Sequence, residues 1–262
     1  MGRTLFSPLF ERIGAWTLAF LAAAGDFALV SRRTFAAIFR RPFDMRNLFR
    51  QFMAVGVNSV PVVVLTSLAI SMVFAVQLSY GFRQFQAEGL AGRVEGLAMV
   101  RELAPVITGL MIAGRVGSAM AAELGTMQVT EQIDALECLA TDPVHFLFVP
   151  RLLALCVMMP LLTGISIALG YVGGWTLLVA VQGHSGYVYS QDFYTLVNGR
   201  DLLIALTKSL VFGLIIALVG CWRGYRTRGG AEGVGNAPTS SVVTSSLWIL
   251  IADFFLTKLL LV

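Results

Sequence analysis

The stretch ELGTMQVTEQIDALECLATDP, Glu123 to Pro143, carries Glu123, Glu131, Asp134, Glu137 and Asp142 and no lysine or arginine. Long apolar segments flank it on both sides. An acidic segment so placed has two readings: a solvated turn between membrane spans, or a short helix presented to a partner. The surrounding residues bear on the choice.

The chain has 262 residues, 57% of them apolar and 13% charged, with a mean hydropathy of +0.79. Soluble domains carry about 25% charged residues, so this composition points to an integral membrane protein. The net charge of +4 matters less than its placement. Arg32, Arg33, Arg40, Arg41, Arg46 and Arg50 form one cluster and Arg223, Arg226 and Arg228 another. Both flank apolar segments, which suits the cytoplasmic face of a membrane better than a nucleic-acid groove. Cys138, Cys156 and Cys221 are far apart, and His145 and His184 have no metal-ligand spacing, so neither a disulfide nor a metal site is expected.

Near the N-terminus, IGAWTLAFLAAAGD resembles a signal-peptide core, but the sequence starts at Met1 and the segment is expected to be retained. Ile13–Val30 is just long enough to span. Crossing would place the following arginines outside, against the positive-inside tendency. The expectation is an amphipathic helix in the membrane interface, within an interfacial and elbow region over residues 1–50. Five spans follow, each near the roughly 20 residues a bilayer core requires: 52–80, 97–122, 152–180, 202–222 and 242–262. With both arginine clusters inside, the N-terminus and the acidic segment are cytoplasmic. Residues 182–201 form an outside loop with a short helix, and the C-terminus lies outside. No internal repeat is visible, and residues 1–262 read as one all-α integral membrane domain.

The second span, LAMVRELAPVITGLMIAGRVGSAMAA, repeats a small residue every fourth position: Gly109, Ala113, Gly117 and Ala121. Such a face lets helix backbones approach closely in lipid, either within the chain or between two copies. Gly114 and Ser118 are expected to widen it. Arg101, Glu102, Arg115, Lys208, Asp253 and Lys258 fall within or at the ends of spans. A charge facing lipid at a helix centre costs roughly 2.5–3.5 kcal/mol, so these groups face partners or a wet cavity. Arg101, Glu102, Lys208 and Asp253 share the outer half of the membrane, and Thr257 shares a face with Asp253. They are either buried ion pairs that fix helix register or the lining of a cavity for a charged, amphiphilic substrate. Lys258 is placed to snorkel, and Arg115 to meet a carbonyl or a lipid phosphate nearer the inside.

No proton relay, ion filter, catalytic nucleophile–base pair or metal set is present, so no enzymatic activity is expected of this chain. The Gly-rich RTRGGAEGVGNAPTSS, Arg226–Ser241, lacks the Gly-Lys-Ser/Thr ending of a phosphate-binding loop. Its glycines are expected to make a tight cytoplasmic turn. Active transport would need a gradient or another protein's ATP hydrolysis.

Val100–Pro143, VRELAPVITGLMIAGRVGSAMAAELGTMQVTEQIDALECLATDP, closely resembles the signature of the MlaE-type (YrbE-type) permeases. Gly230–Thr257, GAEGVGNAPTSSVVTSSLWILIADFFLT, is similar to that family's C-terminal signature. The likeness covers the chain from about residue 30. It implies an ABC-transporter permease of the bacterial inner membrane that moves phospholipid between inner and outer membranes and maintains outer-membrane lipid asymmetry. The implied fold is an N-terminal interfacial helix plus five spans. The implied partners are a second copy of the chain, a cytoplasmic ATPase holding the ATP and Mg, a periplasmic MCE-domain hexamer and often a STAS-domain protein. No cofactor is implied on this chain.

By the same resemblance, the acidic segment is a coupling helix, about Val129–Leu139, bracketed by Thr126 and Thr130. Ile133, Leu136 and Ala140 would form its apolar stripe, and Glu123, Glu131, Asp134 and Glu137 would face the ATPase. Gln77, Tyr80, Arg101, Glu102, Lys208 and Asp253 would line the lipid cavity. Arg101 and Lys208 would contact phosphate while Glu102 and Asp253 hold them. Two alternatives stand beside this reading. A gradient-driven secondary transporter would function without a partner. A scaffold anchoring an ATPase and an MCE protein would tolerate cavity mutations but not Glu131→Lys or Asp134→Lys.

Overall fold

The computed structural model describes residues 7–39 and 44–261, and every regular element among them is helical. Arg40 and Arg41 of the first basic cluster, and Val262 of the fifth expected span, lie outside the described residues. In lipid each backbone polar group must be paired within its own segment, which a helix achieves. The hydroxyls obey the same constraint. Thr66, Thr176 and Thr207 each donate to the carbonyl four residues back, at 2.7 Å.

The helices in order are α1 (Ser7–Ile38), α2 (Met45–Val55), α3 (Val60–Arg83), α4 (Ala91–Ala98), α5 (Ala104–Ile112) and α6 (Ser118–Val129). They are followed by α7 (Gln132–Cys138), α8 (Val149–Trp175), α9 (Gly186–Leu196), α10 (Gly199–Tyr225) and α11 (Gly230–Leu261). The chain is an all-α integral membrane protein. Six stretches among the described residues are long and apolar enough to cross a membrane: Gly14–Ala37, Met45–Arg83, Ala91–Val129, Val144–Val181, Gly199–Tyr225 and Gly230–Leu260. The last five overlap the five expected spans and run further at every end except the last, which stops at Leu260. Polar residues such as Glu95 and Thr126 stay helical because neighbouring helices or their own carbonyls pair them.

Four stretches wind as π-helix: Met99–Leu103, Ala113–Gly117, Val144–Phe148 and Thr176–Val181. Such widened turns recur at functional sites. Two of them precede prolines, Pro105 and Pro150. A proline has no N–H for the carbonyl four residues back. Those carbonyls, of Arg101 and Phe146, receive Lys208 Nζ at 3.1 Å and Asn47 Nδ2 at 3.3 Å.

The small-residue face of the second span is used within the chain. Gly109, Ala113, Gly117 and Ala121 are all buried. A Cβ on Gly109 would stand 3.2 Å from Phe212 of α10, and one on Gly117 3.2 Å from Ile216. Gly114 and Ser118 do not extend this face: Gly114 is exposed, and Ser118 turns back to donate to the Gly114 carbonyl at 2.5 Å. A second small stripe, Ser67, Ser71, Ala75 and Ser79 on α3, is likewise buried. It packs on α8, where Ser67 reaches Ser166 at 2.7 Å and Ser71 the Gly170 carbonyl at 2.5 Å.

The Gly-rich segment is not the expected turn. Only Gly229 and Gly230 take positive φ, and α11 begins at once, carrying Gly233 and Gly235 in helix. Packing overrides the low helix propensity of glycine here: a Cβ on Gly233 would collide with the Arg228 carbonyl. The second half of α1 docks at the end of the bundle that holds the Arg223–Arg228 cluster. There Asp26 pairs with Arg226 and accepts the Trp222 indole N–H at 2.7 Å. Its first half is open, with Trp16, Leu18, Phe20 and Leu21 each more than half exposed.

Candidate functional site

Two polar assemblies occupy opposite ends of the bundle. The first is built on Lys208 of α10, which has no exposed surface. Its Nζ donates to Glu102 Oε2 at 2.7 Å, Thr257 Oγ1 at 2.6 Å and the Arg101 carbonyl at 3.1 Å. An ammonium has three protons, and these bonds use all of them. Asp253 Oδ1, 3.0 Å away, is therefore held by charge and has no hydrogen bond. Thr257 passes its own proton to Glu102 Oε1 at 3.2 Å. Beside this knot, Arg101 Nε donates to Asp201 Oδ1 at 2.8 Å. Asp201 Oδ2 accepts the Asn198 N–H at 3.2 Å and closes the capping box that starts α10.

The structure thus brings Arg101, Glu102, Lys208 and Asp253 together but redistributes their expected roles. Lys208 is no free phosphate contact, because its protons are spent and its side chain is enclosed. It is the pin that holds two carboxylates at one point. Arg101, with 32% of its side chain exposed, is the accessible cation, and Asp201 orients it. Sequence reading had not singled out Asp201, although Asn198-x-x-Asp201 ahead of an apolar run is a helix-start signal. Gln77 and Tyr80 do not join this assembly within one chain. Both are exposed on α3, and Tyr80 lines a different pocket with Ser79, Arg83, Gln182 and His184.

A buried carboxylate at the same end was also not expected. Glu95 of α4 accepts the Tyr189 hydroxyl at 2.6 Å, and the Ser71 hydroxyl, whose one proton is shared with the nearer Gly170 carbonyl, lies 3.2 Å away. Burial, with the Glu95 charge beside it, pushes the Tyr189 phenol above its ordinary range and keeps it a donor. These bonds fasten α9 to α4 and α3.

The second assembly is the acidic segment. The coupling helix expected over about Val129–Leu139 is α7, Gln132–Cys138, which starts three residues later than expected because the second span runs on to Val129. α6 continues to Val129, Thr130 donates back to the Thr126 carbonyl at 2.8 Å, and the chain reverses at Glu131, whose φ is 57°. α7 follows, and Ala140 lies beyond it at φ 55°, exposed rather than part of an apolar stripe. Ile133 is buried and Leu136 half-buried, packed inward with Leu124, Phe148, Cys221 and Val30. Their grip leaves Glu131, Asp134 and Glu137 on the open side with Leu139, which is 75% exposed. Glu123 does not belong to this face: it pairs with buried Arg151 at 2.8 Å, beside α2. Arg115, on the Ala113–Gly117 turn, donates to the Ser59 hydroxyl at 2.5 Å.

A rigid acidic projection at one end and a knot of charge at the other suit a membrane subunit driven by a separate partner. The comparisons agree. The family model described as Permease MlaE matches residues 48–259. A probable ABC transporter permease protein of Rickettsia felis is 40% identical over 247 residues, covering 94% of this chain and 95% of the relative. One from Synechocystis sp. is 42% identical over 228 residues, 87% of each chain. The protein TRIGALACTOSYLDIACYLGLYCEROL 1, chloroplastic, of Arabidopsis thaliana is 39% identical over 230 residues, 88% of this chain and 66% of the relative. The chain belongs to the MlaE permease family.

Proposed function

We propose that this protein is the permease subunit of an ABC transporter that moves phospholipids between the inner and outer membranes of a bacterium and so maintains outer-membrane lipid asymmetry. Its place among ABC-transporter permeases implies an ATPase partner and a transport role, with ATP and Mg held by that partner. The finer reading adds a homodimer in the inner membrane with cytoplasmic N-termini, a periplasmic MCE-domain hexamer and, in some assemblies, a STAS-domain protein. α1 lies in the interface and α7 docks on the ATPase, so closure of the ATPase moves the bundle as a rigid body. Two copies would enclose a cavity apolar for acyl chains, with Arg101 at its rim for the phosphate and Gln77 and Tyr80 contributed across the dimer.

The observation that carries this reading is the Lys208 knot with the part-exposed Arg101 beside it. Charges this costly to place in a membrane mark a substrate path or a structural lock, and Arg101 is the one cation of the group with exposed side-chain surface. The name of the Arabidopsis relative, that of a galactosylated diacylglycerol, supports a lipid cargo in general and not a phosphate headgroup in particular. Native mass spectrometry on the gently extracted complex, expressed with its genomic neighbours, tests it. Two copies of the chain, two ATPases and retained phospholipid are expected. A lone chain without ATPase or lipid would overturn it.

A further inference from the structure

At the arginine-rich end, a cavity of about 440 Å³ opens between α2, the end of α6 and the start of α8. Its volume lies in the range of about 300–1,000 Å³ typical of small-molecule sites. Arg46, Arg50 and Arg151 line it with Asn47, Glu123 and Phe146. The carboxylates on its wall are engaged: Asp44 caps α2 through the Arg46 and Asn47 N–H groups, at 3.1 Å each, and Glu123 pairs with Arg151. Arg151, nearly fully buried, donates to the Leu147 carbonyl at 3.2 Å, while its Nε has no hydrogen-bond partner. Arg46 and Arg50, one turn apart on α2, are exposed and form no ion pair among the described residues. The cavity therefore offers two uncommitted guanidiniums, whose forked donors match phosphate oxygens.

The flank of α2 next to these arginines is apolar. Met45, Phe49 and Met53 recur every fourth residue and are 56%, 64% and 55% exposed. A helix that sets arginines beside a bare apolar stripe is built for the boundary between headgroups and acyl chains. A free anion would use the arginines and leave the stripe without purpose; a lipid uses both. A smaller cavity sharing Gln51 and Glu123 continues toward Arg115.

We propose that this groove seats the phosphate of an anionic phospholipid from the membrane leaflet at the arginine-rich end, with its acyl chains on Met45, Phe49 and Met53. The site lies at the opposite end of the bundle from Arg101 and Lys208. It rests on the proposed reading only for the cytoplasmic orientation of that end, and its occupancy does not require transport.

The test uses the full chain with its ATPase in nanodiscs of phosphatidylcholine with a minority of phosphatidylglycerol carrying a photoactivatable group on one acyl chain. Crosslinks are mapped to peptides by mass spectrometry. Labelling is expected on the α2 peptide at Phe49 and Met53. It should fall about 25-fold in Arg46→Gln/Arg50→Gln, at about fivefold per basic residue facing an anionic surface, and return only in part in Arg46→Lys/Arg50→Lys, which keeps the charge and loses the fork. Excess inorganic phosphate should leave it unchanged. Labelling indifferent to the glutamine pair would overturn the proposal. So would displacement by free phosphate, which would make the groove an anion site. Labelling that appears only in a parallel sample without the ATPase would overturn it too and assign the groove to that protein. The phosphatidylglycerol crosslink is read separately from lipid retained at Arg101, so failure of the transport reading and failure of this site are distinguishable.

Discussion

Lys208→Met retains most of the stem volume and removes the ammonium that joins Glu102, Asp253, Thr257 and the Arg101 carbonyl. Removing one partner of a buried ion pair costs about 3–5 kcal/mol, because the remaining charge is left uncompensated. The Glu102 and Asp253 side chains are 37% and 19% exposed, so water recovers part of this and about 3 kcal/mol is expected. In a chain of this size about 1 kcal/mol lowers Tm by about 2–4 °C, which places Lys208→Met about 6–12 °C below wild type. The triple variant Lys208→Met/Glu102→Gln/Asp253→Asn removes the stranded charges as well and should return to within about 1 kcal/mol, since replacing a whole buried ion cluster is often neutral. Thermal unfolding in detergent, followed by tryptophan fluorescence, reads both. A single variant within about 2 °C of wild type, or a triple variant as unstable as the single, would refute the view of Lys208 as the pin.

Asp201→Ala removes both acceptors, the one for Arg101 and the one that closes the α10 cap, and should cost about 1–2 kcal/mol in the same thermal unfolding assay. Arg101→Ala should lower phospholipid retention without a comparable loss of stability, and equal retention would remove Arg101 from the lipid path. Gly174→Ala would press a Cβ onto the Glu95 carboxylate and the Tyr189 hydroxyl and should destabilise by about 1–3 kcal/mol. Gly164→Ala, which meets nothing within 4 Å, should instead be neutral or stabilise by up to about 1 kcal/mol, and calorimetry compares the two. Glu131→Lys/Asp134→Lys/Glu137→Lys changes only exposed groups and should leave the fold within about 0.5 kcal/mol per site while abolishing co-purification of the ATPase. Unchanged co-purification would mean that α7 is not the docking element.

The depth of each residue along a span was legible in the sequence, and its azimuth was not. Arg101, Glu102, Lys208 and Asp253 fall at similar depth by counting residues from the span ends, so their meeting was foreseeable. Which of them remains open depends on where α10 sits relative to α11, and no spacing encodes that. The same limit applies to Gln77 and Tyr80, which are exposed on α3 and do not join the knot within one chain. The Gly109–Ala121 face was evident, while its partner, α10 rather than a second copy, required the packed bundle. Gly230–Ser241 reads as a turn because glycine disfavours isolated helices, yet contact with α6 makes it one. Thr126 and Thr130 marked a boundary before the coupling helix, but the left-handed turn at Glu131 left no signal because the residue has no special preference for that φ. Asp201 and the α3 serines could have been found: one by its capping pattern, the others by their four-residue spacing.

Pro105 and Pro150 have different consequences for the order in which the chain is made. The Phe146 carbonyl that Pro150 cannot serve receives Asn47, 99 residues earlier, so its donor is already synthesised when α8 enters the bilayer. The Arg101 carbonyl that Pro105 cannot serve receives Lys208, 107 residues later. The first half of α10 must be translated before that carbonyl gains its side-chain donor; Glu102 is already in place to pair with Lys208, and Asp253 and Thr257 follow to complete its shell. During insertion the second span therefore waits for the fourth, and the fourth for the last. A chain ending between residues 208 and 253 would hold Lys208 with Glu102 alone, lacking the second carboxylate and the Thr257 hydroxyl that complete the knot.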